Sequence, residues 1–425
     1  MSEKAAAMSA THPPSPQDLV IVDTSSPPDG GYGWVVVCCC LAFNCFTWGV
    51  TSSYGVYLSQ YLSTGLFPEA TPLDYGFVGG FNFAFAMLVA PLVTILTREF
   101  GKHWTLSIGA LLQCGGYVAA SFTTKVWQLY LSQGTLVGMG IGFIIIPSVA
   151  ILSQWFSRKR TIANGISSAG SGLGGMLFSW GTAAMIRRIG LRWTLRGTGI
   201  VTLAANLIAT VFIRDRNQHI QPPQLAFDIR LVRRYEVALL LLWAFVTMFG
   251  YITLLFSLSD FALSIGLSPS QATDIVGFLN LGTAAGRPII GVVSDKYQKI
   301  ETAGVLTLVC GVSCFAFWLP ATEFGLTVFF AILCGAILGV FWMTIGPLCA
   351  EVVGLKDLPS ALSLAWTTII IPTACSEPIA LQLRRPGSPR EYLYPQIFAG
   401  LSYIVASGIM YELRRVMRKK RDAIL

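Results

Sequence analysis

From Trp34 onward the chain alternates between long apolar runs and short turns rich in Gly, Pro, Arg and Lys. A helix rises about 1.5 Å per residue, so roughly 20 apolar residues cross the ~30 Å hydrocarbon core of a bilayer. The pattern predicts twelve such helices, near 34–58, 74–96, 104–123, 127–150, 161–185, 196–213, 237–259, 271–293, 302–320, 325–349, 360–382 and 395–413. The largest interior polar stretch, Arg214 to Glu236 ("RDRNQHIQPPQLAFDIRLVRRYE"), divides them six and six. The expected fold class is an all-α membrane protein, with twelve transmembrane helices in two six-helix bundles at 32–213 and 237–413. Residues 1–31 read as a disordered cytoplasmic tail, 214–236 as a central cytoplasmic loop, and 414–425 as a basic cytoplasmic tail.

Composition strengthens this reading. The chain is 54% hydrophobic and 12% charged, against about 25% charged residues in a soluble domain. The first thirty residues lack the basic, apolar, small-residue order of a signal peptide. Lys and Arg concentrate on alternate turns: Arg98 and Lys102, Arg158 to Arg160, the central loop, Lys296 and Lys299, Lys356, and the final "RRVMRKKR". That bias places both termini in the cytoplasm of a multi-pass protein, with the plasma membrane as the expected location. The exceptions, Lys125, Arg187, Arg188, Arg192, Arg196, Arg384, Arg385 and Arg390, fall mostly at matching turns of the two halves. A net charge of +8 spread over such turns is no nucleic-acid footprint.

Catalytic and metal chemistry find little support. The ten cysteines sit in or beside apolar segments without the paired spacing of a metal site, and the three histidines lie in tails or loops. No Gly-rich phosphate loop ends in Lys-Ser/Thr, which disfavours an ATP-driven pump. The expectation is a non-enzyme with no cofactor and no metal.

A few polar residues stand out because lipid makes them costly. Arg287, several residues inside the eighth span, either meets an anionic solute by two-pronged pairing, forms part of an inner gate, or snorkels outward. Glu377 in "ACSEPIALQL" is the candidate proton carrier, or else an acid hydrogen-bonded near its helix end beside Pro378. Asp260 and Asp274, near span ends, are expected to face water. Asn44, Trp48, Ser52, Tyr251, Asn280 and Trp342 are candidates for a cavity wall, with ordinary helix packing as the alternative for each. Gly165, Ala169, Gly170, Gly172, Gly174 and Gly175 form a small-residue seam suited to close helix approach.

Three motifs carry a family resemblance. "GRPIIGVVSDKYQK" presents Gly291, Asp295, Lys296 and Lys299 as G-x-x-x-D-K-x-x-K between the eighth and ninth spans. In a six-plus-six protein this resembles the signature of the major facilitator superfamily. "DGGYGWVVV", with Asp29, Gly30, Gly31 and Trp34, opens the first span. "WFSRKRTIANGISSAGSGLGG", with Arg158, Lys159 and Arg160, opens the fifth. Both resemble the monocarboxylate porter family, in a fungal-type member, and that resemblance implies a substrate-facing role for Arg287. It also marks departures: Ser52 and Thr283 stand where animal members carry a lysine and an aspartate associated with proton coupling. The basic triplet is either a topology anchor or part of a gate.

The resemblance implies secondary-active or facilitative transport of an organic monocarboxylate by alternating access, with protons as the candidate coupling ion. The alternatives are a non-carboxylate metabolite as substrate, or a transporter-like nutrient sensor. Expected partners are a small anionic organic solute and the bilayer, with no nucleic acid and no obligate protein partner.

Overall fold

The computed structural model describes residues 29–156, 159–216, 228–354 and 357–422; at Pro72, Ala150, Ser153, Arg160, Asp295 and Pro359 it describes the backbone alone. Residues 1–28 of the expected N-terminal tail, Arg158, and the middle of the central loop (217–227) lie outside the described residues. All regular structure among the described residues is helical.

Nine described helices are long and apolar enough to cross a membrane, and a bent pair adds a tenth. The longest, Arg160–Phe212, is broken where Gly190 takes φ +79°, a left-handed conformation open to glycine at little cost. Counting that break as a turn, and adding the shorter Lys102–Ala120, gives twelve spans.

In chain order α1 is Gly33–Thr64. α2 is Pro72–Leu88 continued by Ala90–Phe100. α3 is Lys102–Ala120, and α4 begins at Val126 and ends at Trp155 through a π-turn. α5 and α6 are 160–189 and 191–212. α7 is Tyr235–Ser264 and α8 Pro269–Lys296. α9 is Lys299–Trp318 and α10 Phe324–Val353. α11 is Leu358–Thr368 continued by Ile370–Leu383, and α12 is Leu393–Asp422.

Local sequence explains many of the ends. Thr71 and Asp74 form a capping box ahead of α2, and Ser268 and Gln271 do the same for α8, each with proline in the first turn. Helix α12 does not stop near 413; it runs on to Asp422. Its cations clasp neighbouring helix starts, Arg414 and Arg418 to Glu301 at 2.7 Å and Lys420 to Glu236 at 2.5 Å.

The halves repeat one packing scheme. α3 packs on α6 as α9 packs on α12, α2 on α4 as α8 on α10, and α1 on α5 as α7 on α11. Two seams, α5 with α8 and α2 with α11, join the halves and exchange places under the repeat. Large apolar side chains such as Leu111, Val211, Ile289 and Val405 remain more than half exposed, the outward face of a protein dissolved in lipid.

The glycine seam is the main device of assembly. A β-carbon on Gly170 or Gly174 would overlap backbone of α1 at Leu41 or Cys45, and one on Gly172 would overlap Ala284 of α8. Helix α5 is therefore pressed between α1 and α8 with backbone against backbone. Lipid tails are as apolar as leucine, so such close packing must supply the cohesion that hydrophobic burial supplies in water.

Candidate functional site

Arg287 lies on α8 and is 5% exposed. Its Nη1 donates to the Ser168 carbonyl of α5 at 3.0 Å, so the guanidinium bridges the two bundles. On its other side α10 is interrupted at Gly339, where an added β-carbon would stand 2.8 Å from Arg287 Nε. Nε has no hydrogen-bond partner among the described residues, and Tyr251 of α7 is its electrostatic neighbour. A guanidinium has five N–H donors in a fixed fork; here Nη1 serves the Ser168 carbonyl, Tyr251 faces the group, and the Nε donor is left over.

Beside it, aromatic rings fill the space between the bundles. Trp48 of α1 stacks on Phe83 of α2 at 4.8 Å, and Trp342 of α10 stacks on Trp366 of α11 at 5.7 Å. The two stacks meet across the bundles, Trp48 to Trp342 at 5.5 Å and Phe83 to Trp342 at 6.4 Å. Tyr251 closes the group, 6.0 Å from Trp342 and 6.3 Å from Phe83. Trp342 Nε1 also lacks a partner among the described residues. Local breaks shape this cluster: α1 is interrupted at Thr47, directly before Trp48, and Gly339 lies three residues before Trp342.

Of the residues singled out in the sequence, Arg287, Trp48, Tyr251 and Trp342 come together here. The others do not join them. Asn44 binds the Cys40 carbonyl at 2.9 Å and Ser167 Oγ at 3.3 Å, tying α1 to α5. Ser52 donates to the Trp48 carbonyl of its own helix at 2.8 Å. Asn280 bonds within α8 and fills the space left by Gly175. Thr283, at the second position of departure, donates to Leu279 and Gly335 carbonyls at 3.1 Å and ties α8 to α10.

Glu377 forms a second polar centre on α11. It is fully buried, and both carboxylate oxygens accept from Ser257 Oγ of α7 at 2.9 Å. One turn further along α7, Asp260 accepts from Arg384 Nη1 at 2.6 Å and from the Tyr392 hydroxyl. Arg384 also pairs with Glu391 at 2.9 Å. The expectation that Asp260 faces water is overturned: it is 8% exposed, because partners more than 120 residues away enclose it. Asp274 instead receives the Trp180 indole N–H at 3.0 Å across the α5–α8 seam. Among the described residues Glu377 itself joins no ion pair. Gly387 N–H and Arg384 hold the Glu391 carboxyl below the usual carboxylate range.

At the face carrying the chain ends, two of the resembling motifs prove to be one structure. Asp29, with φ 51°, donates its N–H to the Trp155 carbonyl at 3.1 Å and accepts from Lys159 N at 3.4 Å. Asp29 thus serves the start of α5; the cap position of α1 is Tyr32. Gly30 and Gly31 carbonyls accept from Gly33 and Trp34 at 3.2 Å in the tight turn into α1. Trp34 packs edge-on against Phe156 at 5.2 Å and keeps 37% exposure. Gly291 brings α8 onto Thr161 of α5, and Lys296 lies over Tyr297 at 5.7 Å. The side chains of Arg160 and Asp295 lie outside the described residues.

Sequence reading missed Ser168, Ser257, Phe83, Trp366, Glu391 and Tyr392, and gave Arg384 no partner. Each is an ordinary residue for its segment, and only the pairing of distant helices gives it a role. The one available signal was the cluster of arginines at the α11–α12 turn, Arg384, Arg385 and Arg390, since a cation at a helix end invites a buried acid.

Residues 37–372 match the Major Facilitator Superfamily. "Probable transporter MCH2" of Saccharomyces cerevisiae is 34% identical over 394 residues, covering 91% of this chain and 83% of that protein. The "Fujikurins efflux protein" of Gibberella fujikuroi is 27% identical over 413 residues, covering 95% and 87%. Among solved structures, the proton:xylose symporter XylE bound to 6-bromo-6-deoxy-D-glucose superposes with a TM-score of 0.70 at 12% identity, over 90% of this chain and 95% of that one.

Proposed function

The chain belongs to the Major Facilitator Superfamily and is a membrane transporter of that type, and from that premise we propose that it carries an organic monocarboxylate with a bulky apolar body. The family and fold are those of transporters rather than enzymes. The observation that carries the reading is Arg287: a buried cation with no carboxylate partner among the described residues, held to a backbone carbonyl on the opposite bundle. A carboxylate would take the fork in two-pronged geometry and cancel its charge. When the bundles rock apart, the Ser168 contact breaks, and a solute carboxylate is the group that replaces it.

The rings beside Arg287 argue for the size of the solute. Full exposure of one such ring costs about 4–6 kcal/mol, from roughly 150–250 Å² at ~25 cal/mol per Å². Trp48 and Trp342 lie on opposite bundles, so opening uncovers both. An apolar solute body inserted between them offsets that cost; acetate or lactate would not. In this reading the protein lies in the plasma membrane with both termini cytoplasmic, and the solute reaches Arg287 from either face in turn.

A second reading, efflux of an uncharged metabolite, draws on the same rings and on the efflux protein among its relatives. Uptake and release of labelled carboxylates by cells expressing wild type or Arg287→Ala separate the two. Loss of carboxylate flux with unchanged membrane expression supports the first reading; flux retained at normal affinity sinks it.

A further inference from the structure

Helix α11 presents Ala374, Glu377, Pro378 and Leu381 along one stripe, at the three- and four-residue spacing of a helix face. Helix α2 covers that stripe. A β-carbon on Gly80 would fall 3.0 Å from Ala374 Cα, and one on Gly76 would fall 3.4 Å from Pro378 N. Glu377 is thus sealed by backbone-to-backbone contact between the two bundles, in the half of the seam nearest the α11–α12 turn. We propose that Glu377 is a proton-binding site that couples closure of the α2–α11 seam to proton uptake, the seam closing over the neutral acid and parting over the carboxylate.

Three observations carry this. The first is solvation. Ser257 Oγ stands 2.9 Å from both Glu377 oxygens. A neutral acid and a hydroxyl satisfy one another in a closed pair, since the serine donates to one oxygen and the acid's own O–H returns a bond to the serine. A carboxylate in the same place has one hydroxyl proton for two oxygens, and no cation pairs with it among the described residues. A desolvated carboxylate so poorly served is disfavoured against its protonated form.

The second is the surroundings on each element that packs there. From α1, Tyr54 adds an electrostatic neighbour and spends its hydroxyl on the Tyr75 carbonyl at 2.7 Å. From α7 comes the like charge of Asp260, and from the α11–α12 turn come Tyr392 and Arg384. Arg384 is the nearby cation, and it is held by Asp260 and Glu391 at 2.6 and 2.9 Å. From α2 the contact is glycine. The third is access. The bond to Ser257 lies within one bundle, so rocking leaves it intact, while departure of α2 admits water to the acid. The proton then passes from Glu377 to that water, and returns from it before the seam recloses.

The site requires no solute for its test, so it stands or falls independently of the carboxylate reading. Full-length protein in nanodiscs, with fluorophores clicked to azido residues at the exposed positions 66 and 390, reports the opening of that face by energy transfer. For wild type, acidification from pH 8 to pH 5 should shift the population toward the short distance. Glu377→Gln, a neutral isostere, should hold the short distance at every pH. Ser257→Ala keeps the carboxyl but removes its partner, and should move the midpoint by about one pH unit. A wild-type distance that ignores pH overturns the proposal. So does a Glu377→Gln profile that follows wild type, or, if that variant does not fold, a Ser257→Ala midpoint equal to wild type.

Discussion

The two seams between the bundles are related by the internal repeat, yet they handle charge in opposite ways. The α5–α8 seam is closed along its length, from Gly291 on Thr161 to Asp274 on Trp180. It holds Arg287, a cation that cannot be discharged at any accessible pH. The α2–α11 seam is sealed by Gly76 and Gly80 beside Glu377, an acid that a single proton neutralises. When a fixed charge loses its bundle-to-bundle partner, another group must replace that partner. A titratable one needs only a proton. On the reading proposed above, solute binding falls to the first seam and proton sensing to the second.

The comparison is broken most directly at Arg287. Arg287→Ala should lower initial carboxylate flux by about 100-fold or more, the loss of a two-pronged charged contact. Arg287→Lys should recover only a small part, because an ammonium lacks the fork. Flux assayed at matched surface expression decides it. If Arg287→Lys equals wild type, the fork geometry is irrelevant and the seam's charge acts only as a counter-ion.

The next test separates close packing from chemistry. Gly172→Ala pushes a methyl into the backbone of Ala284, whereas Gly181→Ala on the same helix meets nothing within 4 Å. The first should cost on the order of 2–4 kcal/mol or abolish assembly. The second should be neutral or stabilising by up to about 1 kcal/mol. Thermal unfolding in one detergent compares them. Equal melting temperatures would mean that the α5–α8 contact yields easily, and its role as a firm seam would be lost.

These contrasts also mark what was legible in the sequence. Span number, the six-plus-six division and the glycine face of α5 follow from local composition, which lipid constrains tightly. Arg287 and Glu377 were visible because an ionisable residue in an apolar run is itself an anomaly. Their partners were not. Ser168 contributes only a carbonyl, and Ser257 is one of many helix serines; each is identified by a contact more than 100 residues away. Asn44 and Asn280 take the packing alternative in this structure: an amide inside a span signals a hydrogen bond, but not whether its partner is a solute or a neighbouring helix. The tie from Asp29 to the start of α5 was equally hidden, since Lys159 N lies 130 residues along the chain.

A smaller effect is expected from the rings. Trp342→Ala should weaken a bulky carboxylate by roughly 10–30-fold, about 1.4–2 kcal/mol of lost contact, and leave a small carboxylate nearly unchanged. Competition between the two solutes measures the ratio. A uniform loss for both would place Trp342 in the packing of α10 against α7 rather than against the solute.

The smallest effect lies at the rim of the second seam, and its sign follows from the Glu391 carboxyl. That group is held below its usual range by Gly387 N–H and Arg384, so its contribution to stability is fully present at neutral pH. It is lost as pH falls below the ordinary carboxylate range and through the lowered value of the folded protein. The pair is partly solvated, with side chains 22% exposed, so the contribution should be below about 1 kcal/mol. Glu391→Gln should lower the melting temperature slightly at pH 7 and converge on wild type as pH falls through the lowered value, while the energy-transfer midpoint set by Glu377 stays in place. A midpoint that moves with Glu391→Gln would show that the Arg384 clasp and the buried acid titrate as one unit. The second seam would then be a single network reaching from Glu377 to the surface.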